Sequence, residues 1–287
     1  MRISIISSGR NDNYGGNFKE RVLKTARRNT QEAKDRGINI EWIFVEWNPV
    51  SDNYLSYELA RFGYTCYIVS PEIHARKVHY SVADRMTFCQ FLAINVGIRK
   101  ANGDVILCTH PDDIIGLDVW SFLKQRKIDE NVLYRARRYD IDAKWFDRKF
   151  EEMDAHKGLD HGEGPTNAAG DFLMFAASRK RGFDEATACF SDIHTDGRFV
   201  RDWMAELTGG KIDLDERYYQ FIGTVYKHDH PMIYRRTAHI KKHHRGLLKW
   251  ESKKRAFKGH NLYKNPDSWG LKDEKVAELK PGVYFIG

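Results

Sequence analysis

Four short apolar runs in the first half of the chain each end in turn-forming or acidic residues. Ile3 to Ser8 leads into Gly9, Glu41 to Trp47 is closed by Asn48-Pro49, Cys66 to Val69 is closed by Pro71, and Asp104 to Cys108 runs into His110-Pro111-Asp112-Asp113. Two helix-prone stretches lie between them: Asn17 to Arg36 with Gly37 as its stop, and Met86 to Lys100 ended by Asn102-Gly103. Strand, helix and strand at this spacing build βαβ units, which predicts an α/β fold around a mostly parallel sheet. Such sheets bind ligands outside the carboxyl ends of their strands. Ser7, Ser8, Glu46, Asp112 and Asp113 all fall at those ends.

The second half is less regular. Met153 to Thr166, rich in Gly, His and Asp, reads as a loop, and Phe172 to Ala177 as a short buried segment. Arg198 to Leu207 reads as a helix ended by Gly209-Gly210, and Tyr226 to His230 as a segment closing the core. The run Phe172 to Ala177 is also the longest unbroken apolar stretch, six residues, against the roughly 20 that a membrane-spanning helix needs. No span is predicted, and the N-terminus lacks the apolar length of a secretory signal. The four cysteines form no CxxC pair, so neither a zinc ribbon nor a disulfide framework is indicated and a reducing, cytoplasmic setting is expected.

Charge is unevenly spread. The formal net charge is +7, but between Arg235 and Lys258 there are ten Lys/Arg and one acid, Glu251, a local +9 that leaves −2 for the rest. The basicity is therefore a patch on a near-neutral body.

The usual phosphate loops, GxxxxGK[ST] and GxGxxG after the first strand, are missing. Asn11 to Asn17 is polar and Gly-rich and by itself says only that the chain turns. Asp112-Asp113, after a buried strand, is more informative. Two carboxylates at the mouth of a parallel sheet offer hard oxygens to Mg²⁺ or Mn²⁺, which share their shell with substrate phosphates. The alternative is that one caps the following helix and the other is solvated.

Taken together, several segments resemble a known family. Ile3-Ser4-Ile5-Ile6 with its polar loop, Asn95-Val96-Gly97-Ile98 through Ala101-Asn102-Gly103-Asp104-Val105-Ile106, and Pro111-Asp112-Asp113 are similar to the nucleotide-sugar half of GT-A glycosyltransferases of inverting family 2 and its relatives. Ala169-Gly170-Asp171-Phe172 and Gly182-Phe183-Asp184-Glu185 resemble the "G-D-F … G-F-D-E" stretch of the acceptor side. The likeness covers roughly residues 2 to 235. It implies a GT-A-like catalytic domain over 1–235, split into a nucleotide-sugar half (1–115) and an acceptor half (116–235), with a basic C-terminal extension over 236–287.

The resemblance also implies a site. Ser7, Ser8, Arg10, Asp12, Asn95 and Arg99 would line the donor, and Glu46 would hold its base or ribose. Asp112 matches the last Asp of the family's Asp-x-Asp motif, the one that touches Mn²⁺ or Mg²⁺, whereas His110 replaces the first; imidazole is an acceptable Mn²⁺ ligand. His230 matches a late histidine that relatives bring to the metal or diphosphate, with His228 as its rival. Gly170 and Asp171 fall on the acceptor side, Asp171 being equally suited to holding its loop together. Asp196 stands at the catalytic carboxylate, with Asp192 as rival base and a helix N-cap as its structural alternative. Inverting transfer needs such a base for the acceptor proton and a cation for the leaving diphosphate. The favoured donor class is a UDP-sugar.

Lys241, Lys242, Arg245, Lys253, Lys254 and Arg255 are interleaved with Trp250 and Phe257, a composition that suits a polyphosphate partner. A solvated surface helix, an anionic membrane surface and an anionic glycan are its other uses. The acceptor this favours is DNA carrying a hydroxymethylated base, as for phage enzymes that glycosylate hydroxymethylcytosine, with a cell-surface polysaccharide or its lipid-linked precursor as runner-up. A nucleotidyltransferase would share the sheet and acidic pair, but its Gly-rich, basic signature loop is not evident. A purely nucleic-acid-binding protein would not need carboxylates at sheet mouths.

Overall fold

A computed structural model describes residues 1–83, 86–125, 128–161, 169–189, 195–209, 218–228 and 265–287. Among them ten strands form one sheet. They are β1 (Ile3–Gly9), β2 (Ile40–Trp47), β3 (Tyr64–Val69), β4 (Val105–Thr109), β5 (Asp113–Ile115), β6 (Leu133–Ile141), β7 (Phe172–Ala176), β8 (Tyr219–His228), β9 (Val276–Lys280) and β10 (Val283–Ile286). The helices are α1 (Phe18–Asp35), α2 (Leu55–Leu59), α3 (Pro71–Lys77), α4 (Gln90–Lys100), α5 (Leu117–Gln125), α6 (Phe150–Ala155), α7 (Glu185–Ala188) and α8 (Thr195–Thr208). None of the described helices is long and apolar enough to cross a membrane.

The sheet order is β5-β8-β6-β7-β4-β1-β2-β3-β10-β9. From β4 to β10 every pairing is parallel. Beyond β4, β7 runs antiparallel to both β4 and β6, and β5 antiparallel to β8. The expected parallel sheet therefore forms one half of a mixed α/β sheet. Both faces of the central strands are covered, so adjacent residues serve different cores: Ile6 and Ile43 pack on one side with α4, Ile5 and Phe44 on the other with α1. Gly97 explains how closely α4 approaches, because a Cβ there would overlap Ile6.

Two sequence expectations change. The helix expected from Met86 begins at Gln90. The Thr87 carbonyl is instead taken by Arg10 Nη1 at 2.6 Å and Asn48 Nδ2 at 2.8 Å, which fixes residues 86–89 as a non-helical entry to α4. The C-terminal residues are also no appendage. β10 pairs in parallel with β3, from Val283–Cys66 to Ile286–Val69, and covers an edge that would otherwise lie open. β9 and β10 thus belong to the same sheet as the strands of the first 235 residues. His230 and the basic residues Lys241, Lys242, Arg245, Lys253, Lys254 and Arg255 lie outside the described residues, as do Asp192 and the side chain of His228.

Candidate active site

β1 has β2 on one side and β4 on the other, so the chain order reverses there, and it is at the strand ends beside such a reversal that open α/β sheets bind ligands. At the end of β4 the chain turns through His110-Pro111-Asp112 into β5. Asp113 Oδ2 accepts from Thr109 Oγ1 at 3.3 Å and from the His110 N–H at 3.2 Å, which folds the carboxylate back over the turn. Both acids of the pair are buried, so neither is solvated. Asp112 is buried and paired with Arg21 of α1, Nε to Oδ2 at 3.2 Å.

A lysine stands in the middle of this turn. Lys227 of β8 is 5% exposed. Its ammonium donates to Asp171 Oδ1 at 3.1 Å and to His110 Nδ1, and lies 3.7 Å from Oδ1 of both Asp112 and Asp113. Asp171 also takes two bonds from Arg138 Nη1, at 3.2 and 3.1 Å, and Arg138 in turn holds Asp140, which His161 meets at 3.0 Å. Burial alone would raise the Asp171 carboxyl, but Lys227, His110 and Arg138 outweigh it and hold the group below the usual carboxylate range. Burial pushes Asp113 the other way, well above that range, against the opposing pull of Lys227. His110 is pushed down to about 4 by burial and the adjacent ammonium, so it is neutral at pH 7. The three carboxylates keep Lys227 charged in spite of its burial.

The expected catalytic carboxylate adjoins this cluster. Asp196, in the first turn of α8, accepts from the Gly170 N–H and the Gly197 N–H, each at 2.8 Å. Burial raises its carboxyl above the ordinary value, with those two N–H groups pulling the other way. Gly170 sits against Asp196, Gln90 and Phe91. The Gln90 side-chain amide meets His110 Nε2 at 2.7 Å, and the Gln90 carbonyl accepts from Ser8 Oγ at 3.5 Å. Ser8, Gln90, His110, Asp171, Gly170 and Asp196 are therefore contiguous. Arg10 and Asp12 pair at 2.7 Å beside them, anchored to Thr87. Ser7 is buried at the end of β1.

Other sequence-selected residues have partners within the fold, and Glu46 among them also takes the Asn11 N–H, between Arg10 and Asp12. Glu46 is fully buried, and its two oxygens accept from the Leu55 and Ser56 N–H groups at 3.0 and 2.8 Å, so it caps the start of α2. Asn95 exchanges bonds with the backbone of Phe183, at 2.7 and 2.9 Å. Arg99 donates to the carbonyls of Trp269 and Asp267 and lies over the Trp269 ring. These three hold the fold together. The reading from sequence missed Lys227, Arg138, Gln90 and Arg21. Lys227 had one available signal, a lysine directly after the largely apolar and aromatic run Phe221 to Tyr226.

The cluster can be tested as a cation site. His110, Asp113 and Asp171 each offer a ligand atom, all within 4.8 Å of one another. Asp113 Oδ1 is buried without a hydrogen bond. One nitrogen and two carboxylates suit Mn²⁺, and Asp113, not Asp112, completes this set. The position is nonetheless filled: the Lys227 ammonium already holds two of the three donor atoms. The residues fit a cation, but not a divalent ion alongside that lysine.

No known family profile matches the chain, and no curated protein is similar in sequence. Solved structures are similar in fold. Mannosyl-3-phosphoglycerate synthase from Rubrobacter xylanophilus is 11% identical over 100% of this chain and 86% of its own, with a TM-score of 0.50. A Pyrobaculum calidifontis mannosyltransferase solved with GDP-mannose and Mn²⁺ is 13% identical over 92% of this chain and 67% of its own, with a TM-score of 0.49. The catalytic domain of Drosophila β1,4-galactosyltransferase 7 is 12% identical over 100% and 92%, with a TM-score of 0.39. The first of these likenesses shows a GT-A-like glycosyltransferase fold.

Proposed function

We propose that this protein transfers a sugar from a nucleotide-sugar, a UDP-sugar being the favoured class, to an acceptor hydroxyl. The observation that carries the reading is the contiguity of Asp196 with the buried cluster of charged groups around Lys227 at the carboxyl end of β4, the position where open α/β sheets bind ligands. In the reaction the acceptor oxygen attacks the anomeric carbon while the bond to the diphosphate breaks. The nucleoside diphosphate leaves with the electron pair, and Asp196 takes the hydroxyl proton; such bases contribute about 10²–10⁴-fold. Ser7 and Ser8 at the end of β1, with Arg10 and Asp12 in the loop after it, are assigned to the donor, Gly170 and Asp171 to the acceptor side.

The sequence expects Mn²⁺ or Mg²⁺ on Asp112 and His230. Among the described residues, the donor atoms that gather are those of His110, Asp113 and Asp171, around Lys227. For the acceptor, the tract from Arg235 to Lys258 favours a polyanion, and DNA with hydroxymethylated bases is the specific acceptor proposed. Incubation with a mixture of nucleotide-sugars and hydroxymethylcytosine-containing or ordinary DNA tests both parts. A sugar mass increment on the modified base supports both. Nucleoside diphosphate release without such an increment keeps the transferase and removes DNA, leaving polysaccharide. No release from any donor removes the reading.

A further inference from the structure

We infer that the Lys227 ammonium is the resident cation of the acidic cluster, and that the chain binds its donor without a divalent metal ion. The inference rests on the nucleotide-sugar reading, because it concerns the positive charge beneath the donor's diphosphate.

Position is the first argument. An ammonium has three N–H donors and no acceptor. Here it donates to Asp171 Oδ1 and His110 Nδ1, and its remaining side lies 3.7 Å from Asp112 and Asp113. A divalent ion bonded to the same atoms at about 2.0–2.1 Å would have to take the place of the ammonium.

Lys227 is also poorly placed to swing aside. It is held in β8 between two neighbours, opposite Asp113 of β5 and opposite Asp140 of β6, with its side chain 6% exposed. Moving Nζ out would strip Asp171 and Asp113 of a buried counter-charge before any other ion could arrive.

Charge gives the third argument. Asp112, Asp113, Asp140 and Asp171 are opposed by Lys227, Arg138 and Arg21, each through an ion pair. Each of these four carboxylates thus already has a cationic partner within the chain, and none of the four is left uncompensated to call for a divalent ion. The exposed member of the cluster is His110, at 24%. Lys227 therefore acts from below, setting the potential at the strand ends, and is a positioning residue, not a catalytic one.

The test titrates Mn²⁺ alone into the protein, following free Mn²⁺ by electron paramagnetic resonance, and separately measures binding of UDP-galactose and GDP-mannose with and without EDTA. Wild type should show no stoichiometric Mn²⁺ site, and its donor affinity should be the same in EDTA. Lys227→Met should gain a stoichiometric Mn²⁺ site that wild type lacks, lost again when Asp171→Asn is added. A single stoichiometric Mn²⁺ in wild type that Asp171→Asn removes would overturn the inference, as would donor binding abolished by EDTA and restored by Mn²⁺. If Lys227→Met does not fold, the wild-type titration decides alone. Failure of every nucleotide-sugar to bind in either condition would strike the donor reading, while the Mn²⁺ titration, made without donor, still decides the cation.

Discussion

Asp113 and Lys227 face each other across the antiparallel β5–β8 ladder, with carboxylate and ammonium 3.7 Å apart. The pairing joins the turn after β4 to a strand more than a hundred residues later, and it makes one lysine answer for three carboxylates.

The two partners should therefore differ sharply when replaced. Lys227→Met leaves Asp112, Asp113 and Asp171 each with one cation fewer, and breaking a buried pair in this way costs about 3–5 kcal/mol. Asp113→Asn should cost much less, because burial already drives that carboxyl toward its neutral form. Urea denaturation of the two variants checks the order; a costlier Asp113→Asn would contradict it.

Asp196→Asn should lower turnover by about 10²–10⁴-fold with donor affinity nearly unchanged, since the residue acts on the acceptor proton. The base must be ionised to work. Burial raises its carboxyl above the ordinary 3.8, so kcat/KM should fall as pH drops through a value above 3.8, and that acid limb should vanish in the variant's residual activity. An active Asp196→Asn with the limb intact would move the role elsewhere.

Glu46 separates a structural role from a donor role. Its carboxyl is raised above 4.5 by burial, against the N–H bonds from Ser56 and Leu55. A raised folded-state value means that its contribution to stability is full below the unfolded value and is lost as pH rises through the raised one. Glu46→Gln should flatten Tm against pH in that window and leave nucleotide-sugar affinity within a fewfold of wild type. A large loss of donor affinity at unchanged Tm would assign Glu46 to the donor site.

Much of the fold was legible because the parallel strands are apolar on both faces and end in turn residues. β6 was not, since Arg135, Arg137, Arg138 and Asp140 make it read as polar; the structure buries Arg135 against the Phe172 carbonyl and pairs the others with Asp160, Asp171 and His161. The motif matches were legible as sequence but divided in purpose. Asn95 and Gly182-Phe183 interlock, with a Cβ on Gly182 meeting the Asn95 side chain and Trp269, so those matches report packing. Gly103 likewise packs on Ser4. Gly170 and Asp196, by contrast, meet directly, the Gly170 N–H donating to Asp196 Oδ2. Lys227 and Arg138 escaped notice because nothing local in sequence ties them to Asp113 or Asp171; only strand pairing does.

The most direct test of the account is thermal unfolding of the wild-type protein against a panel of nucleotide-sugars and nucleoside diphosphates, in EDTA and in Mn²⁺. A true donor at 100 times its dissociation constant stabilises the folded state by about 2.7 kcal/mol. At least one nucleotide-sugar and its nucleoside diphosphate should raise Tm, equally in both buffers. No shift with any of them in either buffer would contradict a nucleotide-sugar site in this protein.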